Sequence, residues 1–401
     1  MAEETLNIFI SAGEVSGDLH AAALVVALKK RMPNARFFGM GDAAMATAGV
    51  ELLASIRDHS AIGMWQSARE LTRVKRTIRE LKEAIETQRP DFIIVVDCEA
   101  IHLPLLRAIQ PLSIPNTYYI SPQVWWTRNG YDQDRIAKNI QAVTDHVLAI
   151  FRAEHAVYTK LDHSSAHYIG HPLLDLVRIK QSKAAAYAML GLPMDRPIIG
   201  VFPGSRWQEI KSTYPRLIRA AQTVVSRGVH AHIVVVVGAP RYARYIRDNT
   251  PDTVPVYSGD SYGIIPHLTA SLVSSGTVTL EHALFRVPIV VAYRFGALLT
   301  LFIRVWLQFK SINLAWISLP NLMMQHSIVP ECLQRQATVE NLAHALYQLC
   351  DPQYPTDQNP YRQRQYKGFQ KIKEYMGPNG AVDRAAGLVS KWINNSSANS
   401  D

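Results

Sequence analysis

The chain reads as two doubly wound α/β domains in tandem, and three observations predict this. Short, continuously apolar runs alternate with helical segments through residues 7–150. Such runs suit strands of a parallel sheet covered on both faces. The same alternation resumes at Pro197 after a weaker stretch. The length of 401 residues, at roughly 150 per domain, calls for two to three domains, each large enough to bury its own core.

In order, Asn7–Ala12 is a buried strand, Leu19–Lys30 an amphipathic helix and Arg36–Met40 a second strand. Gln66–Thr87 is a long helix of mixed charge, and Phe92–Val96 (FIIVV) is a strongly apolar strand. Thr117–Ile120 and His146–Ile150 are two further strands. Gln181–Arg196 is helix and linker, closed by Gly191 and Pro193. The second set of strands is Pro197–Phe202, His232–Val237, Ser271–Ser274 and Pro288–Tyr293. The end is helical: Tyr361–Tyr375 is rich in Arg and Lys, Ala381–Ile393 is amphipathic, and Asn394–Asp401 is polar and frayed. The expected division is residues 1–180, residues 181–380, and a C-terminal helix and tail, 381–401, that is free to pack back on the first domain.

Composition narrows the function classes. Hydrophobic residues make up 48%, which excludes wholesale disorder. The net charge is +9, but only 19% of residues are charged and no Lys/Arg block occurs, which argues against a disordered nucleic-acid tail. An anionic substrate, a membrane surface or RNA remains. Cys98, Cys332 and Cys350 show neither a disulfide framework nor zinc spacing, as suits a reducing cytosol. No signal peptide is expected, since the first apolar run leads straight into Gly13 and Glu14. The most lipid-like stretch, Phe295–Phe309, is interrupted by Arg304 and falls short of the ~20 apolar residues of a span. It reads either as a buried helix of the second domain or as a membrane-surface helix. In the second case Leu298, Leu299, Phe302, Trp306 and Phe309 would enter lipid, while Arg294, Arg304 and Lys310 meet headgroups. Trp65 and Trp125–Trp126 read equally as interfacial anchors or core aromatics.

In doubly wound sheets, ligands bind beyond the carboxyl ends of strands, so the residues after each strand are the candidates. After the first comes Gly13-Glu14-Val15-Ser16-Gly17-Asp18, suited to an anion or a sugar hydroxyl, or simply a turn capped by Ser16 or Asp18. After FIIVV comes Asp97, a candidate general base or a helix N-cap. Pro203-Gly204-Ser205-Arg206 offers a turn followed by a guanidinium fork for phosphate, or a surface Arg. Ser275-Gly276-Thr277 offers amides and hydroxyls to a diphosphate. Glu281, nearly two turns after Ser275, is placed to accept hydrogen bonds from a ribose diol. G-x-G-x-x-G and Walker A patterns are absent, so no nucleotide cofactor is expected. Asp132-Gln133-Asp134 is formally D-x-D but lies in a polar stretch and reads as solvated. The histidines, His102, His171 and His326 among them, show no paired metal spacing, and no metal site is expected.

Taken together, SAGEVSGDLHAAAL (11–24), YYISPQVWWTR (118–128), IGHPLLD (169–175), FPGSRWQEI (202–210), SSGTVTLEHAL (274–284), PIVVAYR (288–294) and SLPNL (318–322) resemble the lipid-A-disaccharide synthase family. The resemblance implies a GT-B architecture, two Rossmann-like domains facing across a cleft, with acceptor and base on the first domain and UDP-sugar on the second. It implies an inverting, metal-independent hexosyltransferase of lipid A and lipopolysaccharide assembly. Such an enzyme joins UDP-2,3-diacylglucosamine to 2,3-diacylglucosamine 1-phosphate, forming a β-1,6 disaccharide and releasing UDP. By motif match Asp97 is the essential aspartate and Arg206 the essential arginine, while Glu14, Ser16, Glu281 and Asn321 match other site positions. Asp97 would take the acceptor proton, Arg206 with Ser205 and the Ser275–Gly276–Thr277 amides would neutralise UDP, and Asn321 would orient the diphosphate or sugar.

The chain departs from the family pattern D-x-P-D-F-N, reading Asp97-Cys98-Glu99-Ala100-Ile101-His102, and from A-G-R-E, reading Met324-Gln325-His326-Ser327. UDP-side motifs therefore match better than acceptor-side ones, and the acceptor and its acyl-chain length stay open. The expected partners are the two acyl sugars and the cytoplasmic face of the inner membrane, where the enzyme would sit peripherally. Nucleic acid is not an expected partner; a homodimer is an open option. Competing readings are a UDP-sugar epimerase or other UDP-sugar transferase, a non-catalytic relative, and, more remotely, a dehydrogenase.

Overall fold

The computed structural model describes residues 6–56, 68–122, 130–161, 165–294 and 316–398. These form two compact units, Met1–Leu176 with Met376–Asp401, and Val177–Tyr375.

The first unit runs β1 (Asn7–Ala12), α1 (Val15–Lys29), β2 (Arg36–Gly41), α2 (Ala43–Thr47), β3 (Val50–Ser55), α3 (Ala68–Gln88), β4 (Phe92–Val96) and α4 (Glu99–Ile109). It continues through β5 (Asn116–Tyr119), α5 (Gly130–Gln141), β6 (His146–Ala149), α6 (Arg152–Lys160), β7 (Ala166–Tyr168) and α7 (Leu173–Leu176). Its parallel sheet has the order β3-β2-β1-β4-β5-β6-β7. The central strands are buried because both faces carry helices, so β4 is apolar throughout and β1 is buried from Ile8 on with no alternation, Ser11 being its one polar residue there. Phe9, Phe38, Ile93, Val95 and Tyr118 form the middle of one core layer with Leu81 and Ile85 of α3 and Leu105 and Leu106 of α4. The C-terminal helix Ala381–Ala398 belongs to this unit. The Asp175 carboxylate caps its start, accepting from the N–H groups of Gly380 (2.5 Å) and Val382 (2.9 Å), and Arg31 pairs with Asp383 at 3.0 Å.

The second unit opens with α8 (Lys183–Met189). It continues through β8 (Ile198–Phe202), α9 (Trp207–Ser226), β9 (His232–Val236), α10 (Ala243–Asp248), β10 (Val256–Tyr257), β11 (Leu268–Ser274) and α11 (Val278–Leu284). After β12 (Ile289–Tyr293) come α12 (Leu319–Met324), β13 (Glu331–Leu333), α13 (Val339–Cys350) and α14 (Pro360–Tyr375). The sheet is again parallel, in the order β10-β9-β8-β11-β12-β13. Its core joins Ile199, Val201, Val235 and Leu272 to Tyr214 and Leu217 of α9 and to Leu342 and Leu346 of α13.

Both sheets thus repeat one winding, in which the chain leaves the first strand toward one edge and returns on its other side. The strand order reverses between β1 and β4 and between β8 and β11. Those are the topological switch points where the loops part and leave a crevice for a ligand.

One local expectation is corrected. α1 starts at Val15, not Leu19, so Ser16, Gly17 and Asp18 are its first turn and neither Ser16 nor Asp18 caps it. The Asp18 carboxylate instead accepts from the N–H groups of Asp42 (2.7 Å), Ala44 (3.0 Å) and Met45 (3.2 Å) and caps α2. Phe295–Phe309 with Arg304, the neighbouring Lys310, Trp65, Trp125–Trp126 and the Asp132 side chain lie outside the described residues. Among the described residues, no helix is long and apolar enough to cross a membrane.

Candidate active-site loops

β1 and β4 are paired so that Ala12 lies opposite Val96, and the loops that follow them start side by side. This brings Glu14 and Ser16 together with Asp97. Glu14 is the N-cap residue of α1, Ser16 is in the first turn, and both are half-buried, as is Asp97. The two loops cross closely. A Cβ on Gly13 would stand 2.3 Å from the Cys98 Sγ, so this position requires glycine. On Gly17 a Cβ would meet the Asp97 Cβ at 3.7 Å, which puts Asp97 against the first turn of α1.

The backbone at Asp97 is unusual. Asp97 (φ +55°) and Cys98 (φ +50°) are consecutive non-glycine residues in the left-handed region. Such conformations persist where surrounding contacts over-determine them. Here the Asp97 N–H donates to the Tyr119 carbonyl (3.2 Å), and the Asp97 carbonyl accepts from the Tyr118 hydroxyl (2.8 Å) and from His102 Nδ1 (2.6 Å). A carbonyl can only accept, so Nδ1 carries the proton. His102 Nε2 then accepts from the Ser11 hydroxyl at 2.9 Å. The ring is fully buried, and desolvation lowers its pKa to about 4, which keeps it neutral.

In the second unit Val273 lies opposite Phe202, so the loops after β8 and β11 also start together. The Ser274 hydroxyl donates to the Pro203 carbonyl at 2.9 Å and ties them. Gly204 (φ +98°) is required by its conformation and by the Glu209 Oε2, which a Cβ would meet at 2.6 Å. Arg206 is the N-cap residue of α9, and its Nη1 lies 3.5 Å from Oε1 of the buried Glu209. The Tyr293 hydroxyl donates to the same oxygen (3.4 Å). Burial and the Glu209 charge push Tyr293 up to about 12, with Arg206 opposing. The Ser205 carbonyl accepts from Arg241 at 3.4 Å.

The Ser275 hydroxyl donates to the Ile317 carbonyl (3.1 Å), while Gly276 and Thr277 are exposed. Glu281 lies in the first turn of α11, closer to this loop than the spacing of nearly two turns suggested. Burial raises its carboxyl to about 7; the adjacent Tyr262 hydroxyl opposes the rise and Asp260 adds to it.

Asn321 is placed differently from the expectation. Its Nδ2 donates to the Val329 carbonyl (2.9 Å) and Glu331 Oε1 (2.7 Å), and its Oδ1 accepts from the N–H groups of Ile328 (2.6 Å) and Val329 (3.0 Å). With its amide fully engaged and buried, Asn321 shapes the segment instead of facing a ligand. Glu331 gathers that segment, accepting also from the N–H groups of Ile317 (2.9 Å) and Ser318 (3.0 Å) and from the Ser318 hydroxyl (2.5 Å).

Sequence reasoning missed the supporting residues Ser11, Tyr118, Glu209 and Glu331. The first three lie inside the motifs quoted above, which was the available signal. In the sequence His102 is a histidine without metal-ligand spacing and a departure from a family pattern, neither of which points to this role. On α5, Asp134 of the D-x-D pairs with Lys160 at 3.2 Å. Among the described residues, no three His, Cys, Asp or Glu side chains gather as they would around a metal ion.

Comparison with known proteins completes the picture. A family model described as lipid-A-disaccharide synthetase matches residues 8–377. The lipid-A-disaccharide synthase of Myxococcus xanthus is 32% identical over 387 residues, 96% of each chain. That of Dechloromonas aromatica is 33% identical over 351 residues, 86% of this chain and 89% of the other. Among solved structures, an S. aureus MnaA–UDP co-structure superposes with a TM-score of 0.64 at 12% identity, covering 97% of both chains. The UDP-GlcNAc 2-epimerase from Neisseria meningitidis bound to UDP-GlcNAc gives 0.60 at 12% identity, covering 92% of this chain and 99% of the other. The glycotransferase of kitacinnamycin gives 0.59 at 15% identity, covering 97% of this chain and 100% of the other. At such identities the structural likeness establishes the GT-B fold alone, whereas the sequence likeness spans both units and all the loops described. The chain belongs to the lipid-A-disaccharide synthase family of glycosyltransferases.

Proposed function

We propose that the chain transfers 2,3-diacylglucosamine from its UDP derivative to 2,3-diacylglucosamine 1-phosphate, by one inverting displacement without a metal ion. The acceptor 6-hydroxyl oxygen forms a bond to the anomeric carbon as the bond from that carbon to the diphosphate oxygen breaks. The hydroxyl proton passes to the Asp97 carboxylate, and the electron pair leaves with UDP. The first unit supplies the base and, through Glu14 and Ser16, hydrogen-bonding groups for the acceptor. The second unit holds the donor.

Arg206 offers its guanidinium to the growing charge on UDP, steadied by Glu209. The Ser275–Gly276–Thr277 turn, exposed at Gly276 and Thr277, and Ser205 offer further polar groups to the diphosphate, and Glu281 accepts from the ribose hydroxyls. Asn321 and Glu331 keep the neighbouring segment in shape. Both substrates carry fatty chains, so the enzyme works as a peripheral protein at the cytoplasmic face of the inner membrane.

The observation that carries this reading is the Asp97 backbone, a left-handed pair of non-glycine residues at a switch point, held by Tyr118, Tyr119 and His102. Mass spectrometry of products, with UDP release followed in parallel, tests it. UDP and the disaccharide should form in equal amounts, and only with both acyl sugars present. Conversion of UDP-GlcNAc alone to its 2-epimer would overturn the reading.

A further inference from the structure

We propose that a basic groove between the C-terminal end of α12 and one face of α14 binds the phosphate groups of anionic phospholipids. The groove encloses about 440 Å³ and includes His326, Ile328, Arg364, Lys367, Gly368 and Lys371 in its lining. Arg364, Lys367 and Lys371 recur at helical spacing, so α14 presents them along one face. Gly368 makes the floor possible, since a Cβ there would stand 2.4 Å from the Ile328 Cγ2. Arg364 Nη2 donates to the Ser327 carbonyl at 2.8 Å and ties one wall to the other. On the opposite wall His326 Nδ1 donates to the Met324 carbonyl (2.7 Å).

The charge of this groove is not neutralised from within. No carboxylate lines it, and among the described residues no acidic group pairs with Arg364, Lys367 or Lys371. Glu374, the carboxylate of α14, accepts from Gln370 at 3.2 Å. The mixed-charge helix α3 shows the contrast, for three of its cations are answered one turn on, by Arg76–Glu80 (2.7 Å), Arg79–Glu83 (3.7 Å) and Lys82–Glu86 (3.3 Å). On α14 a fourth cation, Arg362, is buried and donates to Thr269 and Leu349 oxygens, which leaves the exposed row for an outside partner.

The row from Arg364 to Lys371 is about 10 Å long. That length suits several phosphates side by side, as a lipid surface offers, better than one soluble ion. Each cation at such a surface is worth about a fivefold gain in binding. The inference rests on the proposed reaction, whose acylated substrates bring the enzyme to a membrane.

The test is co-sedimentation with phosphatidylcholine vesicles, with and without phosphatidylglycerol. The full-length chain should sediment with the anionic vesicles only, and millimolar inorganic phosphate should not release it. Combining Arg364→Glu, Lys367→Glu and Lys371→Glu should weaken this binding at least tenfold. UDP release from detergent-dispersed substrates should be unchanged. Should the triple variant lose its thermal transition, the milder Lys367→Gln/Lys371→Gln pair should still weaken binding severalfold. Undiminished vesicle binding by folded variants would overturn the proposal, and so would release of the wild type by inorganic phosphate. A wild type that binds anionic vesicles yet makes no disaccharide would support the groove and sink the reaction.

Discussion

Asp97 sits on a backbone that an aspartate adopts only under constraint. A left-handed non-glycine residue carries a strain of about 1–3 kcal/mol, and here two occur in succession. Each hydrogen bond to that turn contributes about 0.5–1.5 kcal/mol, so Tyr118, Tyr119 and His102 together offset a large part of that strain. His102 acts on the proposed reaction through this backbone and is a positioning residue. His102→Leu should lower kcat by about 10–100-fold with KM little changed, since the carboxylate shifts while substrate contacts stay. His102→Asn, which restores a donor and the residue common in resembling sequences, should recover most of the rate. Equal kcat for His102→Leu and wild type would remove this role. Stability carries the same signature. The folded pKa of His102 is depressed to about 4 from 6.5, so the neutral ring's contribution is complete above pH 6.5 and is lost as pH falls through 4. Thermal unfolding of His102→Asn should therefore fall off less steeply with acid in that window.

At the scale of elements, the β1–α1 and β4–α4 loops form one fitted pair, because Gly13 makes room for Cys98. Gly13→Ala should destabilise the first unit by about 1–3 kcal/mol, and Cys98→Gly in the same chain should return much of it. Additive losses in the double variant, read from denaturant midpoints, would contradict the fit. The elements that position these loops were legible because β1, β4 and β8 are buried on both faces and read as runs with no polar alternation. The edge strand β3 has mixed exposure, β7 has three residues and α2 has five, and none of these offers a period to read. The start of α1 was hidden for another reason. Ser-Gly-Asp has turn chemistry, and only the tertiary bonds from Asp18 to α2 turn it into a helix's first turn. Local sequence could place Asp97, Arg206, Ser275 and Glu281 after strands, but not the bonds that fix them. Ser11 and Tyr118 meet Asp97 and His102 only across the sheet. Asn321 looked like a ligand group because a buried, saturated amide and an exposed one have the same sequence.

Across the whole molecule, one winding is used twice, and the proposed reaction gives each copy's switch point a different task. The first unit's loops carry carboxylates and a buried, neutral histidine beneath them, whereas the second unit's carry an arginine and a serine–glycine–threonine turn exposed at Gly276 and Thr277. In the proposed reaction a base from the first unit and a leaving-group clamp from the second would make up the minimum for a displacement from a UDP-sugar. The division predicts that the two roles separate under mutation. The most direct measurement is UDP release by Asp97→Asn with both acyl sugars, alongside UDP affinity measured by calorimetry on the same preparation. Turnover should fall by about 10²–10⁴-fold, the range of a lost general base, while UDP binds as it does to the wild type. Near-normal turnover in Asp97→Asn would contradict the assignment of the base, and loss of UDP affinity in step with turnover would contradict the division of labour between the two units.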